Sequence, residues 1–390
     1  MNKRELSRNP DCKRRSGFTW VELLAVIVIL GLLLALLLPS VRSAKGTAYR
    51  TQCLNHLRNV GIAIQGYTVS NHGNIPALSG GTLLSDPRPS QQPGKLVPAP
   101  WTVELLPYIE QNMLHDTLSQ SNNGSQAHAE IVDRAAKQSI EIFICPSDKR
   151  ASIGRLSYVA NVGLIPEFAL ERPESSSLIS SKRFDMGFNG YGPACLNAED
   201  FEVAQGLGVF RAVDTAAGGV GGNSDRLNLD QVSKYDGTAN TVLLSENLNT
   251  RNYDPKSNSP GFGGWLSNDI GDIAFGICVP MLQSNDGTVW QVPLNSVPGG
   301  VGISGGDKTQ ALAPGRDPVP IESRINSNLK AARNGEAPRP SSNHYRTVNM
   351  AFADGSCKVI SDDIAPGVYA RLLTPMGGEY GQGPLSDVDF

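Results

Sequence analysis

The chain has 390 residues, a formal net charge of −3 and only 18% charged residues. That length can hold one large or two modest domains, and the near-neutral balance carries no basic signal for nucleic acid. With 41 glycines, 26 prolines and 6% aromatic residues, a plain helical bundle is excluded in favour of many turns and long loops.

The N-terminus is strongly basic. Residues 1–17 carry Lys3, Arg4, Arg8, Lys13, Arg14 and Arg15 against Glu5 and Asp11, a net of +4. An apolar run of 19 residues follows, 20–38, interrupted only by Glu22 and Gly31. A bilayer-crossing helix needs about 20 apolar residues. The basic cluster should stay cytoplasmic and leave the rest of the chain outside. A buried core helix is not expected to be aliphatic almost without a break over 23–38. A secretory signal would end in a small-residue cleavage site. Here the run ends in Leu38-Pro39-Ser40-Val41-Arg42 and helical patterning continues, so the apolar segment reads as retained.

Gly17-Phe18-Thr19-Trp20-Val21-Glu22 resembles the prepilin cleavage site of type IV pilins and type II secretion pseudopilins. The resemblance implies that prepilin peptidase cuts between Gly17 and Phe18 and that the new Phe18 amine is methylated. Removing 17 of the 390 residues leaves 373. It also implies an assembly role for Glu22. A carboxylate at the edge of a lipid-facing helix is unfavourable unless it finds a partner. In such filaments the partner is the N-terminal amine of a neighbouring subunit. Snorkelling of Glu22 to the headgroups is the alternative.

Pro39 should kink the helix or interrupt its hydrogen-bond ladder. Beyond it Leu54, Leu57, Val60, Ile64 and Tyr67 recur at helical spacing, with Arg50, Asn55, Arg58 and Gln65 on the other face. This predicts a helix with its apolar side on a sheet, ended by Asn71-His72-Gly73-Asn74. The segment Gln52-Cys53-Leu54-Asn55-His56-Leu57-Arg58-Asn59-Val60-Gly61 resembles a motif of the DUF1559 family of prepilin-type proteins. Trp101 to Gln111, Phe143-Ile144-Cys145-Pro146-Ser147-Asp148, Ser157-Tyr158-Val159-Ala160-Asn161 and Asp236-Gly237-Thr238-Ala239-Asn240-Thr241 resemble it further, in order. So do Val242-Leu243-Leu244-Ser245-Glu246-Asn247 and His344 placed nine residues before Asp354-Gly355, the family's H-x9-DG signature.

The fold class expected is therefore α+β. A long N-terminal transmembrane helix would pack on the antiparallel sheet of a pilin-like head with long loop insertions. The divisions are a leader at 1–17, the membrane helix at 18–45 and the head at 46–390. Residues 348–353 and 356–361 are β-prone runs separated by Asp354-Gly355, a two-residue hairpin signal in which both turn positions need positive φ. His344, just upstream, could anchor the loop to that turn, act as a ligand, or be exposed. Residues 241–246 read as another strand. Glu246 is taken as its solvated end, with ligand or hydrogen-bond acceptor as alternatives. The stretches 80–99, 171–183, 215–226 and 295–340 read as loops.

Five cysteines follow the leader's Cys12: Cys53, Cys145, Cys195, Cys278 and Cys357. An extracytoplasmic compartment permits disulfides, but the pairing is open and one thiol must be left over. The absence of C-x-x-C spacing argues against a zinc cluster. Gly302-Ile303-Ser304-Gly305-Gly306 fits G-x-S-x-G only formally, because no strand–turn–helix context surrounds it. Acidic groups around Asn223 to Asp230 and Asn268 to Asp272 could bind calcium, although neither has EF-hand spacing; no other cofactor is implied. No catalytic constellation emerges, so an enzyme is not expected. The expected role is a membrane-anchored structural or minor subunit of a pilus or type II secretion-like assembly. Its head would lie in the periplasm or at the cell surface, and its partners would be prepilin peptidase and other pilin-like subunits. The alternative is a membrane-tethered binding module, for polysaccharide for example, that uses the pilin-like N-terminus only for sorting and anchoring.

Overall fold

The computed structural model describes residues 17–87, 96–119, 125–150, 153–166, 184–185, 208–211, 226–254, 256, 263–279, 282–283, 290–291, 323–327, 335, 338–377 and 385. Side chains at 37–44 and at a few strand positions, Cys278 among them, lie outside the description. So do residues 1–16, most of the glycine-rich 295–340 stretch with its G-x-S-x-G match, the loop expected at 171–183, and the loop expected at 215–226 except its last residue.

The chain opens with helix α1, Trp20–Ser70. Two compact units divide it, Met1–Ala48 and Tyr49–Phe390. In the first, the large apolar side chains from Phe18 to Leu36 are exposed. Among the described residues no helix is long and apolar enough to cross a membrane. Side chains of the 19-residue run are described only as far as Leu36, and those 17 residues span roughly 26 Å at 1.5 Å each, short of the roughly 30 Å hydrocarbon core.

The second unit is built on a five-stranded sheet. Its strands are β3 (Tyr158–Pro166), β5 (Val242–Glu246), β6 (Ala274–Val279), β9 (Thr347–Phe352) and β10 (Cys357–Ser361), in the order β10-β9-β5-β3-β6. All neighbours are antiparallel except β3 and β6, which run parallel. The sheet is therefore mixed rather than wholly antiparallel as expected. The parallel pair is possible because a long crossover with its own helix and strand separates β3 from β6. Two smaller sheets accompany it. One is β1 (Ser79–Ser85) with β2 (Leu96–Pro100); the other is formed by β4 (Phe184–Asp185), β7 (Leu282–Gln283) and β8 (Trp290–Gln291). The β1–β2 pair corrects the reading of 80–99 as a loop: its Gly, Ser and Pro content hid two strands that are short and bulged.

The C-terminal part of α1 buries Cys53, Leu57, Val60, Ala63, Ile64 and Tyr67. The seam begins at Cys53, one residue away from the Leu54 that hydropathy picked out, and Leu54 is only half-buried. A Cβ at Gly61 would lie 3.8 Å from Ala351 of β9, so the helix crosses that strand closely. α1 ends where expected. His72 and Gly73 take positive φ, and Gly73 N–H donates to Thr68 O at 2.8 Å, returning the chain to the last turn.

Short helices α2 (Trp101–Leu105), α3 (Asn112–Ser119) and α4 (Gln126–Ala136) cover the β1–β2 hairpin, with α5 (Leu229–Lys234), α6 (Ile270–Ile273) and α7 (Pro366–Leu373) further on. The family-like segment at 101–111 is structural. Trp101 is fully buried and its indole N–H donates to Ile273 O at 3.0 Å, while Glu104 pairs with Arg226. Asn161 is likewise a brace, with its side-chain amide donating to Val242 O and Leu373 O at 2.7 and 2.8 Å.

The Asp354-Gly355 turn joins β9 to β10 as the sequence indicates, but not as a two-residue loop. Phe352 N–H donates to Ser356 O and Gly355 N–H donates to Phe352 O, each at 2.9 Å. This leaves three loop residues, Ala353, Asp354 and Gly355. Only Gly355 has positive φ, +84°. A tight turn followed by one left-handed residue is the usual three-residue solution. Asp354 instead caps it from inside, with Oδ1 accepting Ser356 N–H at 2.8 Å.

Candidate functional site

Four segments far apart in sequence meet at one end of the main sheet. Cys53 comes from the buried face of α1. Cys145 and Ser147 follow a 3-10 turn, Glu141–Phe143, Glu246 closes β5, and His344 sits just before β9. Cys53 and Cys145 form a disulfide with Cα atoms 4.8 Å apart across 92 residues of sequence. His344 Nε2 lies 3.9 Å from Cys145 Sγ, 3.5 Å from Ser147 Oγ and 3.3 Å from Glu246 Oε1. Ligand-type atoms of Cys53, Cys145, Glu246 and His344 all fall within 4.8 Å of one another; the first three are buried and His344 is 9% exposed.

The surroundings hold each member in place. Asn349 donates its backbone N–H to Glu246 Oε2 and its side-chain amide to Oε1, both at 3.0 Å. Ser342 Oγ accepts His344 N–H at 3.0 Å, and Asn343 donates its side-chain amide to Ser147 O at 2.8 Å. Tyr158 hydroxyl donates to Cys53 O at 3.0 Å. Next to Ser147, Asp148 pairs with Arg150 at 2.7 Å and with the fully buried Arg155. Burial pushes the Arg155 guanidinium down to about 10. The Asp148 carboxylate offsets its charge and Nη1 donates to the Asp148 and Arg150 carbonyls, while Nε is buried without a hydrogen-bond partner. Asn247 extends the brace, its N–H donating to Ser157 O at 2.9 Å and its Oδ1 accepting Ser341 Oγ at 3.1 Å.

The site separates the residues singled out in the sequence. His344 is neither exposed nor anchored to the Asp354-Gly355 turn; it belongs to the disulfide cluster. The two halves of H-x9-DG stand at opposite ends of β9, whose six residues extend about 20 Å at roughly 3.3 Å each. At the far end, Asp354 N–H donates to Thr238 O and Ala353 N–H to Thr241 O, which joins this turn to the Asp236-Gly237 turn. Glu246 is not a solvated strand end. It is buried as a hydrogen-bond acceptor, because β9 runs beside it and offers Asn349. The acidic group at 268–272 is already engaged. Asp269 and Asp272 both bind Arg251, at 2.9 and 2.8 Å, and Asp269 caps α6 through Gly271 N–H. Burial, then the Asp272 charge, raises the Asp269 carboxyl. In the other acidic group, Asn228 caps α5 and residues 223–225 lie outside the described residues.

Gly17, Phe18 and Glu22 lie in the N-terminal unit, where Thr19 and Glu22 form a capping box. Thr19 N–H and Oγ1–H both donate to Glu22 Oε2 at 2.8 Å, and Glu22 N–H donates back to Thr19 Oγ1 at 3.3 Å. Thr19-Trp20-Val21-Glu22 is a plain T-x-x-E signature, so this role was available in the sequence. Ser147, Asn349 and the Cys53–Cys145 pairing were not expected. The one available signal was that both cysteines fall inside segments resembling the same family, whereas Cys195 and Cys278 do not.

The family described as "Protein of unknown function (DUF1559)" matches residues 42–367, which is 326 of the 390 residues. The description "Prokaryotic N-terminal methylation motif" matches residues 12–38. No curated protein and no solved structure matches the chain.

Proposed function

The chain belongs to the DUF1559 family and carries a prepilin-type methylation motif, and from that premise we propose that it is a membrane-anchored, pilin-like subunit of a pilus or type II secretion-like surface assembly. The observation that carries the reading is the N-terminal unit. A methylation motif leads into a helix whose apolar side chains from Phe18 to Leu36 stand exposed. Such a surface requires lipid or neighbouring apolar helices to cover it. In this reading prepilin peptidase cuts before Phe18, the new amine is methylated, and the helix stays in the cytoplasmic membrane with the head outside. Cutting there leaves Thr19 and Glu22 in the mature chain, so the cap of α1 survives processing. Glu22 Oε1, which the cap does not use, then accepts the Phe18 amine of a neighbouring subunit.

In this reading Glu22 has two roles, and Glu22→Gln tests the assembly role with the cap kept. Glu22→Gln keeps a side chain able to complete a capping box but removes the charge. Glu22→Ala removes both. In the native host, both variants should be cleaved and reach the membrane, and both should disappear from sheared or cross-linked multimers. Normal multimers from Glu22→Gln would reject the assembly role. They would favour the second reading, a tethered extracytoplasmic binding module, for which the large second unit is the supporting observation.

A further inference from the structure

The buried cluster contains more than a disulfide requires. A disulfide needs neither a carboxylate nor an imidazole beside it. Yet Glu246 and His344 are both buried against Cys145, 3.3 Å from each other. A buried carboxylate is normally retained with a cationic partner or a metal. Among the described residues the only ion-pair partner of Glu246 is His344.

We propose that, with Cys53 and Cys145 as thiols, this cluster is a closed four-ligand site for zinc, bound by the two sulfurs, His344 Nε2 and one Glu246 oxygen. Tetrahedral zinc with bonds of about 2.0–2.3 Å places its ligand atoms about 3.3–3.8 Å apart. The Glu246–His344 separation of 3.3 Å meets that demand, and the Cys145–His344 separation of 3.9 Å needs to close by a few tenths of an ångström. The two sulfurs, once unbonded, can part by rotation about their Cα–Cβ bonds. Thiolate and imidazole donors select zinc or a similarly soft ion over calcium or magnesium. Burial leaves no open coordination position, as in structural rather than catalytic sites. The carboxylate is already oriented by Asn349, and Ser147 Oγ lies 3.0 Å from Cys145 Sγ, so a second layer of polar groups is in place.

The zinc form and the disulfide exclude each other, since both use the same two sulfurs. Zinc enters the newly made chain, whose cysteines are thiols, and their two protons are released. Outside the cytoplasm, a disulfide-bearing oxidant accepts two electrons from the zinc-bound thiolates. Its own S–S bond breaks, two protons from solvent complete its two thiols, the Cys53–Cys145 bond forms and the zinc ion leaves. Early zinc would hold Cys53 of α1 against the 145–148 segment before the covalent bond does.

The test uses the full-length chain in detergent. Purified oxidised protein is reduced with a phosphine, incubated with zinc chloride, desalted and assayed for metal. Alkylation and mass spectrometry count the Cys53 and Cys145 thiols, and circular dichroism monitors the fold. The Cys53→Ser/Cys145→Ser variant controls for zinc on the remaining cysteines. The expected result is one zinc per reduced chain beyond that control and none in the oxidised chain. Cobalt in place of zinc should give the intense visible bands of a tetrahedral thiolate site. His344→Ala and Glu246→Gln should each weaken binding at least about tenfold. Reduced, folded protein that binds no more zinc than the double variant would overturn the proposal. So would a chain that unfolds on reduction and is not restored by zinc, or zinc binding unaffected by both His344→Ala and Glu246→Gln.

Discussion

At the scale of single residues, Gly355 and Cys357 make opposite demands on one turn. Gly355 holds φ +84°, and a Cβ there would approach Gln65 Nε2 to 2.6 Å. The glutamine end can move aside, so the backbone dominates the cost. Gly355→Val should lose about 1–3 kcal/mol, while Gly355→Asn, which tolerates left-handed φ, should lose less. Thermal unfolding of the full chain in detergent measures both, and an unchanged midpoint for the valine variant would contradict the turn. Two residues on, Cys357 is the free thiol among the described residues. Burial pushes its pKa up to about 11, with nearby Arg58 opposing and Asp354 adding to the shift. Only the thiolate reacts, so roughly one thiol in a thousand is ionised at pH 8. Alkylation of the Cys357 peptide should be slow at pH 8 and rise about tenfold per pH unit towards pH 10. Rapid labelling at neutral pH would refute that environment.

At the scale of elements, the Cys53–Cys145 bond ties α1 covalently to the segment that carries Ser147 and Asp148, beside the His56–Ile144 O contact at 2.9 Å. It closes a loop of 92 residues. The loss of chain entropy in the unfolded state corresponds to about 4–5 kcal/mol for such a loop. Cys53→Ser/Cys145→Ser should therefore lower stability by about 2–5 kcal/mol, measured by urea unfolding. A shift of less than about 0.5 kcal/mol, within the range of ordinary surface substitutions, would mean that the helix docks through its apolar seam alone. The motif H-x9-DG also becomes intelligible at this scale. Its spacing is the length of β9 with its two approaches, so it locates two sites rather than one. His344 serves the disulfide cluster. The Asp354-Gly355 turn is bonded to the residues preceding β5 and lies close beside Gln65 of α1.

At the scale of the whole molecule, the N-terminal unit and the head answer to different solvents. The exposed apolar helix surface from Phe18 to Leu36 calls for lipid, while the unit from Tyr49 onward closes around its own core. Residues 1–17 carry six Lys or Arg, against Arg42, Lys45 and Arg50 in the stretch after the apolar run, and this excess on the leader side predicts an orientation with the head outside. Protease added to intact spheroplasts should digest the head and spare a short N-terminal fragment. Full protection of the head, with the same protease cutting after lysis, would reverse the orientation.

Much of this was legible in the sequence because it depends on local order. The basic leader, the apolar run, the Thr19–Glu22 cap, the end of α1 after Ser70 and the glycine at the β9–β10 turn all rest on neighbours within a few positions. The family segments were legible too, as an ordered series of short motifs. What lay beyond the sequence depends on pairs of residues far apart along the chain. The Cys53–Cys145 partnership, the burial of Glu246 beneath Asn349, the arrival of His344 beside them and the parallel β3–β6 pair were decided by the tertiary structure. No local periodicity encodes them, because a buried polar side chain is chosen by the partner that the fold brings to it. Glu246 reads as an exposed strand end until β9 is laid beside β5, and only then does its carboxylate have donors on one side and a histidine and a disulfide on the other.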